Sequence, residues 1–211
     1  NTPLHFEMGL YGVLIVDPPQ GPGFVRGYAP QTDHVIRYDR EVIWACGAHD
    51  HRWRKYSHNH AFSDPEPNDP DSFTAGGGLD NWRPSVFTIS GAVARDGATP
   101  ITDGRAMGRA ALGDTVLVRV LNATYAVQEY RIGADVMAIA QDGRAFGVPP
   151  FGSYSEPFVI PAGQPFQLTS AMRYELLIQP TRTGAITMQV DYRDWVTKAL
   201  LGRARTSILV A

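Results

Sequence analysis

The chain has 211 residues, 44% of them hydrophobic and 19% charged, with a formal net charge of −2. That length buries a sizeable core as one large domain or two small ones. No basic block points to nucleic acid, no apolar run approaches the ~20 residues of a membrane helix, and the single cysteine, Cys46, rules out an internal disulfide framework.

Gly (21) and Pro (16) are frequent and spread along the chain. With no long amphipathic helical pattern, they favour an all-β sandwich with many turns. Residues 11–17 (YGVLIVD) read as a buried strand stopped by Pro18 and Pro19. The Pro- and Gly-rich stretch 18–30 reads as a linker or long loop and a domain boundary. Residues 40–46 (REVIWAC) read as the next strand. Residues 47–84 then turn polar, with Pro, Asp and Gly, and read as a long surface excursion of a kind that is often functional.

Strand patterns follow at short intervals: 84–91, 114–123, 127–133, 136–143, 156–168, 173–180, 184–194 and 205–211. In DTVLVRVLNA, Val116, Val118 and Val120 share one face, and Leu117, Arg119 and Leu121 the other. Asp142-Gly143 reads as a hairpin turn. WVTKALLG (195–202) is the one candidate helix, ended by Gly202. Such spacing predicts a Greek-key sandwich.

The ordered series from Ser85 to Ala211 resembles the second domain of multicopper oxidases, the laccase and copper-resistance oxidase family. SVFTISG resembles a family strand that ends in an Asn-Gly hairpin, with Ser90 where Asn is usual. LGDTVLVRVLNAT, EYRIGADVMAIAQDGRAF and VIPAGQPFQLTSAMRYELLIQP resemble successive later segments, and EVIWACGAHDHRW the opening strand. LHFEMGLYGVLIV resembles the close of a preceding cupredoxin domain, H-x-x-x-G-M-x-G-x-L-I-V.

The resemblance implies a cupredoxin-like Greek-key sandwich over 40–211, with a long loop at 47–84. A linker at 21–39 and a leading hairpin at 1–20, from a neighbouring cupredoxin domain, would precede it. It implies that the chain is part of a copper enzyme that couples one-electron substrate oxidation to reduction of dioxygen to water. The missing N-terminal cupredoxin portion would be supplied by a longer polypeptide or a companion chain. A homo-oligomer is a further option. The location implied is periplasmic or extracellular, which the single cysteine fits. The chain alone is expected to be inactive.

By the same resemblance His5 maps to an imidazole ligand of a type 1 copper and Leu10 to its non-coordinating axial position, with Met8 an alternative axial ligand. The competing reading is that the tail closes a domain whose copper is not type 1, and His5 binds nothing. Within the second domain no ligand set is evident, as in the copper-free middle domain of three-domain oxidases.

HDHRWRKYSHNH (49–60) holds two His-x-His pairs, His49/His51 and His58/His60. Imidazoles at this density bind copper, zinc or nickel, so the alternative function is a non-catalytic cupredoxin-like scaffold or metal-binding module using this loop. Against it stand Arg52, Arg54 and Lys55, which lie between the pairs and oppose a cation. Cys46 reads as a small buried hydrophobe, Asp50 as solvated, and Trp44, Trp53, Trp82 and Trp195 as core or loop anchors.

Overall fold

Val116, Val118 and Val120 turn to one core and Leu117 to a second on the opposite side, as the period of 2 requires. In the computed structural model, residues 2–27, 34–55, 82–147 and 156–211 are described. In chain order the strands are β1 (Phe24–Arg26), β2 (Val35–Arg37), β3 (Arg40–His49), β4 (Val86–Ile89), β5 (Ala92–Val93), β6 (Gly108–Ala110), β7 (Val116–Ala123) and β8 (Val127–Ile132). There follow β9 (Val136–Gln141), β10 (Arg144–Ala145), β11 (Phe158–Ile160), β12 (Phe166–Leu168), β13 (Arg173–Ile178), β14 (Gly184–Arg193) and β15 (Leu200–Val210). Helical structure among the described residues is confined to α1 (Thr2–Glu7) and a 3-10 turn, His51–Lys55.

One sheet runs β10-β9-β13-β7-β3-β4-β5, with β11 also paired to β9, and the other runs β12-β8-β14-β15-β6. The chain changes layer from β7 to β8 and back at β9, then again through β11, β12, β13 and β14, which gives the Greek-key sandwich. Among the described residues two pairings are parallel, β3 with β7 and β15 with β6. Between the layers Trp44, Cys46, Val118 and Leu176 meet Tyr130, Met188, Tyr192 and Ile208, all fully buried. Trp44 is fixed by its Nε1–H donating to the Ala106 carbonyl at 2.8 Å.

The described parts of the stretch read as a linker are structured. Within 21–39, β1 and β2 pair as an antiparallel ribbon. Val25 and Tyr38 cover Leu117 and Ile139 on the outer face of the larger sheet, which explains why β7 is apolar on both sides. Arg119, the polar member of that outer face, pairs with Glu41 at 2.7 Å and with Glu175.

Three expectations are corrected. The leading hairpin is not present in 1–20: Thr2–Glu7 is helical, and residues 10–18 form no strand. A strand exists only with a partner ladder, and among the described residues 10–18 have none. WVTKALLG is not a helix. The Asp194 carboxylate accepts from the Val196 and Thr197 amides at 3.0 and 2.6 Å, Lys198 turns at φ +62°, and the chain returns as β15. The local Asp turn and pairing with β14 override the helical spacing. Gly202 lies inside β15, where a Cβ would stand 2.1 Å from the Phe87 ring. Trp195, at the tip of this hairpin, anchors nothing and is 65% exposed.

The hairpin turns hold. Asp142 (φ +52°) and Gly143 (φ +79°) connect β9 to β10 with Gln141 opposite Arg144, the two positive dihedrals of a type I′ turn. Ser90 (φ +49°) and Gly91 (φ +77°) do the same between β4 and β5. Ser90 Oγ donates to the Ile43 carbonyl at 2.6 Å and accepts from the Ala45 amide at 3.3 Å. Ser90→Ala keeps the strained backbone and loses this tie to β3, so it is expected to cost about 1 kcal/mol; chemical denaturation measures it, and an unchanged midpoint would show the tie to be idle.

Candidate functional site

The segment HFEMGL closes α1. The Leu10 amide donates to the His5 carbonyl (2.9 Å), the Gly9 amide to the Phe6 carbonyl (3.0 Å), and Gly9 takes φ +82°. These 6→1 and 5→2 bonds are a Schellman helix end with glycine at the left-handed position. The spacing that maps His5 and Leu10 to a copper centre therefore also serves a local backbone purpose. His5 is exposed, Met8 is 43% and Leu10 70% exposed.

The end of α1 is fastened to the sandwich by Glu7, which is 2% exposed. Its Oε2 accepts from the Asp50 amide at 2.8 Å and its Oε1 from the Trp82 indole N–H at 2.9 Å. Aromatic rings surround this clasp. Phe6 lies 5.2 Å from Tyr11 and 5.4 Å from Tyr125, Tyr125 meets Trp82 edge-on at 5.6 Å, and Tyr11 stacks on His49 at 6.0 Å. The Tyr11 hydroxyl stands 3.5 Å from His49 Nε2.

β3 runs three residues beyond its expected end, so His49 is on a strand and buried. Asp50 ends the strand, since its carboxylate accepts the Arg52 amide at 3.1 Å and starts the 3-10 turn. Asp50 is 1% exposed, which corrects its reading as solvated. The Arg52 guanidinium grips both its oxygens, at 2.9 and 2.5 Å, and the Arg83 amide donates at 2.8 Å. Arg52 therefore neutralises a buried carboxylate rather than repelling a cation from a solvated loop.

The break at Asp50 also separates the first His-x-His pair. His49 faces Tyr11, while exposed His51 pairs its Nδ1 with Ser85 Oγ at 2.7 Å. His58 and His60 lie outside the described residues. Cys46 is fully buried, with its thiol pushed up to about 12 by burial, although bonds from Tyr130 and Tyr192 act the other way. That is the inert small hydrophobe expected of it. Among the described residues no group of three or more His, Cys, Asp or Glu is placed to hold a metal ion. The described part of the sandwich, with its thiol closed in the core, does not fit a copper centre.

Burial raises the Glu7 carboxyl to about 7, against the two N–H bonds that favour its charged form. Docking of α1 thus takes up a proton between the ordinary carboxyl range and pH 7. The docked state is favoured at acid pH and weakens up to ~10-fold per pH unit as pH rises from 4.5 to about 7, then levels off. Amide exchange of residues 6–10 across this range measures the effect, and a flat profile would place the Glu7 titration elsewhere. Sequence reasoning missed Glu7 because a lone glutamate carries no pattern; the Gly9 helix end was the available signal that residues 2–7 are helical.

No protein-family model matches the chain, and no curated protein sequence matches it. Among solved structures it is similar to the laccase of Botrytis aclada, with a TM-score of 0.52 and 14% identity over 82% of this chain and 29% of that one. It is similar also to Fet3p, a multicopper oxidase that functions in iron import, with a TM-score of 0.50 and 15% identity over 82% of this chain and 28% of that one. The chain thus has the cupredoxin-like fold of a multicopper oxidase domain and spans less than a third of either relative. No helix among the described residues is long and apolar enough to cross a membrane.

Proposed function

We propose that this chain is part of a multicopper oxidase that couples one-electron oxidation of a substrate to reduction of dioxygen to water, and that its sandwich is the structural portion. The likeness of fold across 82% of the chain carries this reading. Copper is then a property of the whole assembly. The described residues of the sandwich gather no ligand set, and the chain alone is inactive. His5 sits exposed on α1, with Met8 and Leu10 just beyond its end, and is the candidate ligand for a set completed from outside these residues. Residues 1–20 belong in this reading to a preceding cupredoxin domain, and the assembly works in the periplasm or outside the cell.

Intact mass and metal content of the native assembly, beside the chain alone, test the proposal. Copper and oxidase activity in the assembly, and neither on the 23.1 kDa chain, are expected. An assembly without copper overturns the oxidase reading. Metal held by the lone chain and lost in His51→Ala would favour the metal-binding module instead.

A further inference from the structure

Register sets the outer face of the five-stranded sheet. Gln167, Glu129, Asp191 and Arg203 stand side by side across β12, β8, β14 and β15, and Arg131, Gln189 and Arg205 form the next row. Arg203 Nε donates to Asp191 Oδ1 at 2.6 Å, and Glu129 pairs with Arg131 at 2.8 Å and with Arg193 at 3.3 Å. The two signs of charge differ in depth. The side chains of Asp191 and Glu129 are 2% and 12% exposed, whereas those of Arg131, Arg193 and Arg203 are 37%, 27% and 32% exposed. Water therefore meets guanidinium edges, with the carboxylates beneath them. Three more arginines extend this field. Arg205 hydrogen-bonds Gln189 and the Ala98 carbonyl. Arg95 shares with Arg203 and Arg205 a pocket of about 420 Å³ beside β15. Asp96, in the same pocket, is engaged by the Ala98 and Thr99 amides. Arg109 of β6 lies opposite Leu209 on the outward row and, like Arg95, has no ion pair among the described residues. Six guanidiniums thus stand against three carboxylates, on a chain of net charge −2. They come from β6, β8, β14, β15 and the loop after β5, so the sequence shows no basic block.

We infer that this face binds an acidic polysaccharide, with the acid groups of the polymer on the arginines and its hydroxyls on Gln167, Gln189, Thr187 and Ser207 between them. Each guanidinium has five N–H donors in a planar fork, and the buried carboxylates engage only some of them. Asp191 and Glu129 hold the forks in place, so little freedom is lost on binding. From Arg203 to the level of Arg109 the field runs roughly 20 Å along β15, the reach of an extended chain rather than of one small anion. A single-stranded nucleic acid fits less well. Sheets that bind one stack its bases on aromatic side chains, and the outward rows of β8, β14 and β15 hold none. An acidic peptide would meet the charge but leave the amides and hydroxyls between the arginines without partners.

Calorimetric titration of the chain with polygalacturonate, at low and at physiological ionic strength, tests the inference. Binding that weakens steeply with salt is expected. The double variant Arg95→Gln with Arg109→Gln should bind ~10-fold or more weakly at low salt. Neither arginine holds an ion pair among the described residues, so its melting midpoint should match the wild type. Arg37→Gln with Arg173→Gln removes the same charge from exposed positions on the side of the larger sheet, and should leave the affinity nearly unchanged. Polyglutamate, which carries the charge without the hydroxyls, should bind more weakly than polygalacturonate. No binding of polygalacturonate, an equal loss in the two double variants, or polyglutamate bound as tightly overturns the inference. Copper enters none of these measurements, so the outcome is separate from that of the oxidase reading.

Discussion

Asp50→Ala is expected to destabilise the chain by about 3–5 kcal/mol, because it strips the counter-charge from a buried guanidinium. Arg52 and Asp50 have side chains 8% and 0% exposed, so water does little to replace the lost partner. The Arg52 and Arg83 amides lose their acceptor in the same step. The turn that ends β3 would lose its anchor, and with it the Asp50 amide that holds Glu7. For a chain of this size the cost corresponds to a fall of roughly 6–20 °C in melting midpoint. A melt within a degree or two of the wild type would show that the pair is solvated and the site looser than its geometry. The double change Asp50→Leu with Arg52→Met should cost less than either single one, since no charge is then left buried.

The same pair fixes a pH limb. Burial alone would raise the Asp50 carboxyl, but the Arg52 fork and the Arg83 and Arg52 amides outweigh it and hold it below the ordinary carboxylate range. A depressed carboxyl contributes stability above its unfolded value and loses it as pH falls through the folded one. Acid should therefore loosen the Asp50 turn while it tightens the Glu7 clasp, whose shift has the opposite sign.

What the sequence disclosed, and what it hid, follows from where each residue's determinants lie. The β7 strand was legible because alternation is local and the sandwich buries both of its faces. The Asp142-Gly143 and Ser90-Gly91 turns were legible because positive dihedrals restrict residue choice. The segment 195–202 misled because helical spacing over eight residues is weak against an Asp turn and a long pairing with β14. The run 11–17 has the composition of a strand and lacks only the ladder, which the described residues do not supply. Asp50 looked solvated because its neighbours are polar in sequence, whereas the guanidinium that neutralises it comes from a turn that Asp50 itself starts. Of the two His-x-His pairs only His49 and His51 fall within the described residues. His-x-His spacing aims two rings together only while the strand continues, and it ends between His49 and His51.

Gly47→Ala is expected to release the N-terminal segment while leaving the sandwich folded. No left-handed dihedral is needed at this position; the requirement is for space. A Cβ there would lie 2.4 Å from Tyr11 Oη, 2.5 Å from Thr88 Oγ1 and 3.0 Å from His49 Nε2. Thr88 is directly opposite Gly47 in the β3–β4 ladder, and His49 is two residues along the same strand; both side chains are buried, so each yields only by a rotamer change within packed surroundings. Tyr11 belongs to a segment with no ladder of its own among the described residues, and it is the group that yields. Overpacking of this kind costs about 1–3 kcal/mol, here drawn mainly from docking of the segment. Burial holds the Tyr11 phenol above its ordinary value, so a spectrophotometric titration should show one phenol returning to the ordinary range in the variant, with faster amide exchange at residues 6–13. A lowered melting midpoint with Tyr11 still buried would mean instead that the β3–β4 pairing gives way first, and that the segment is held more firmly than its missing ladder implies.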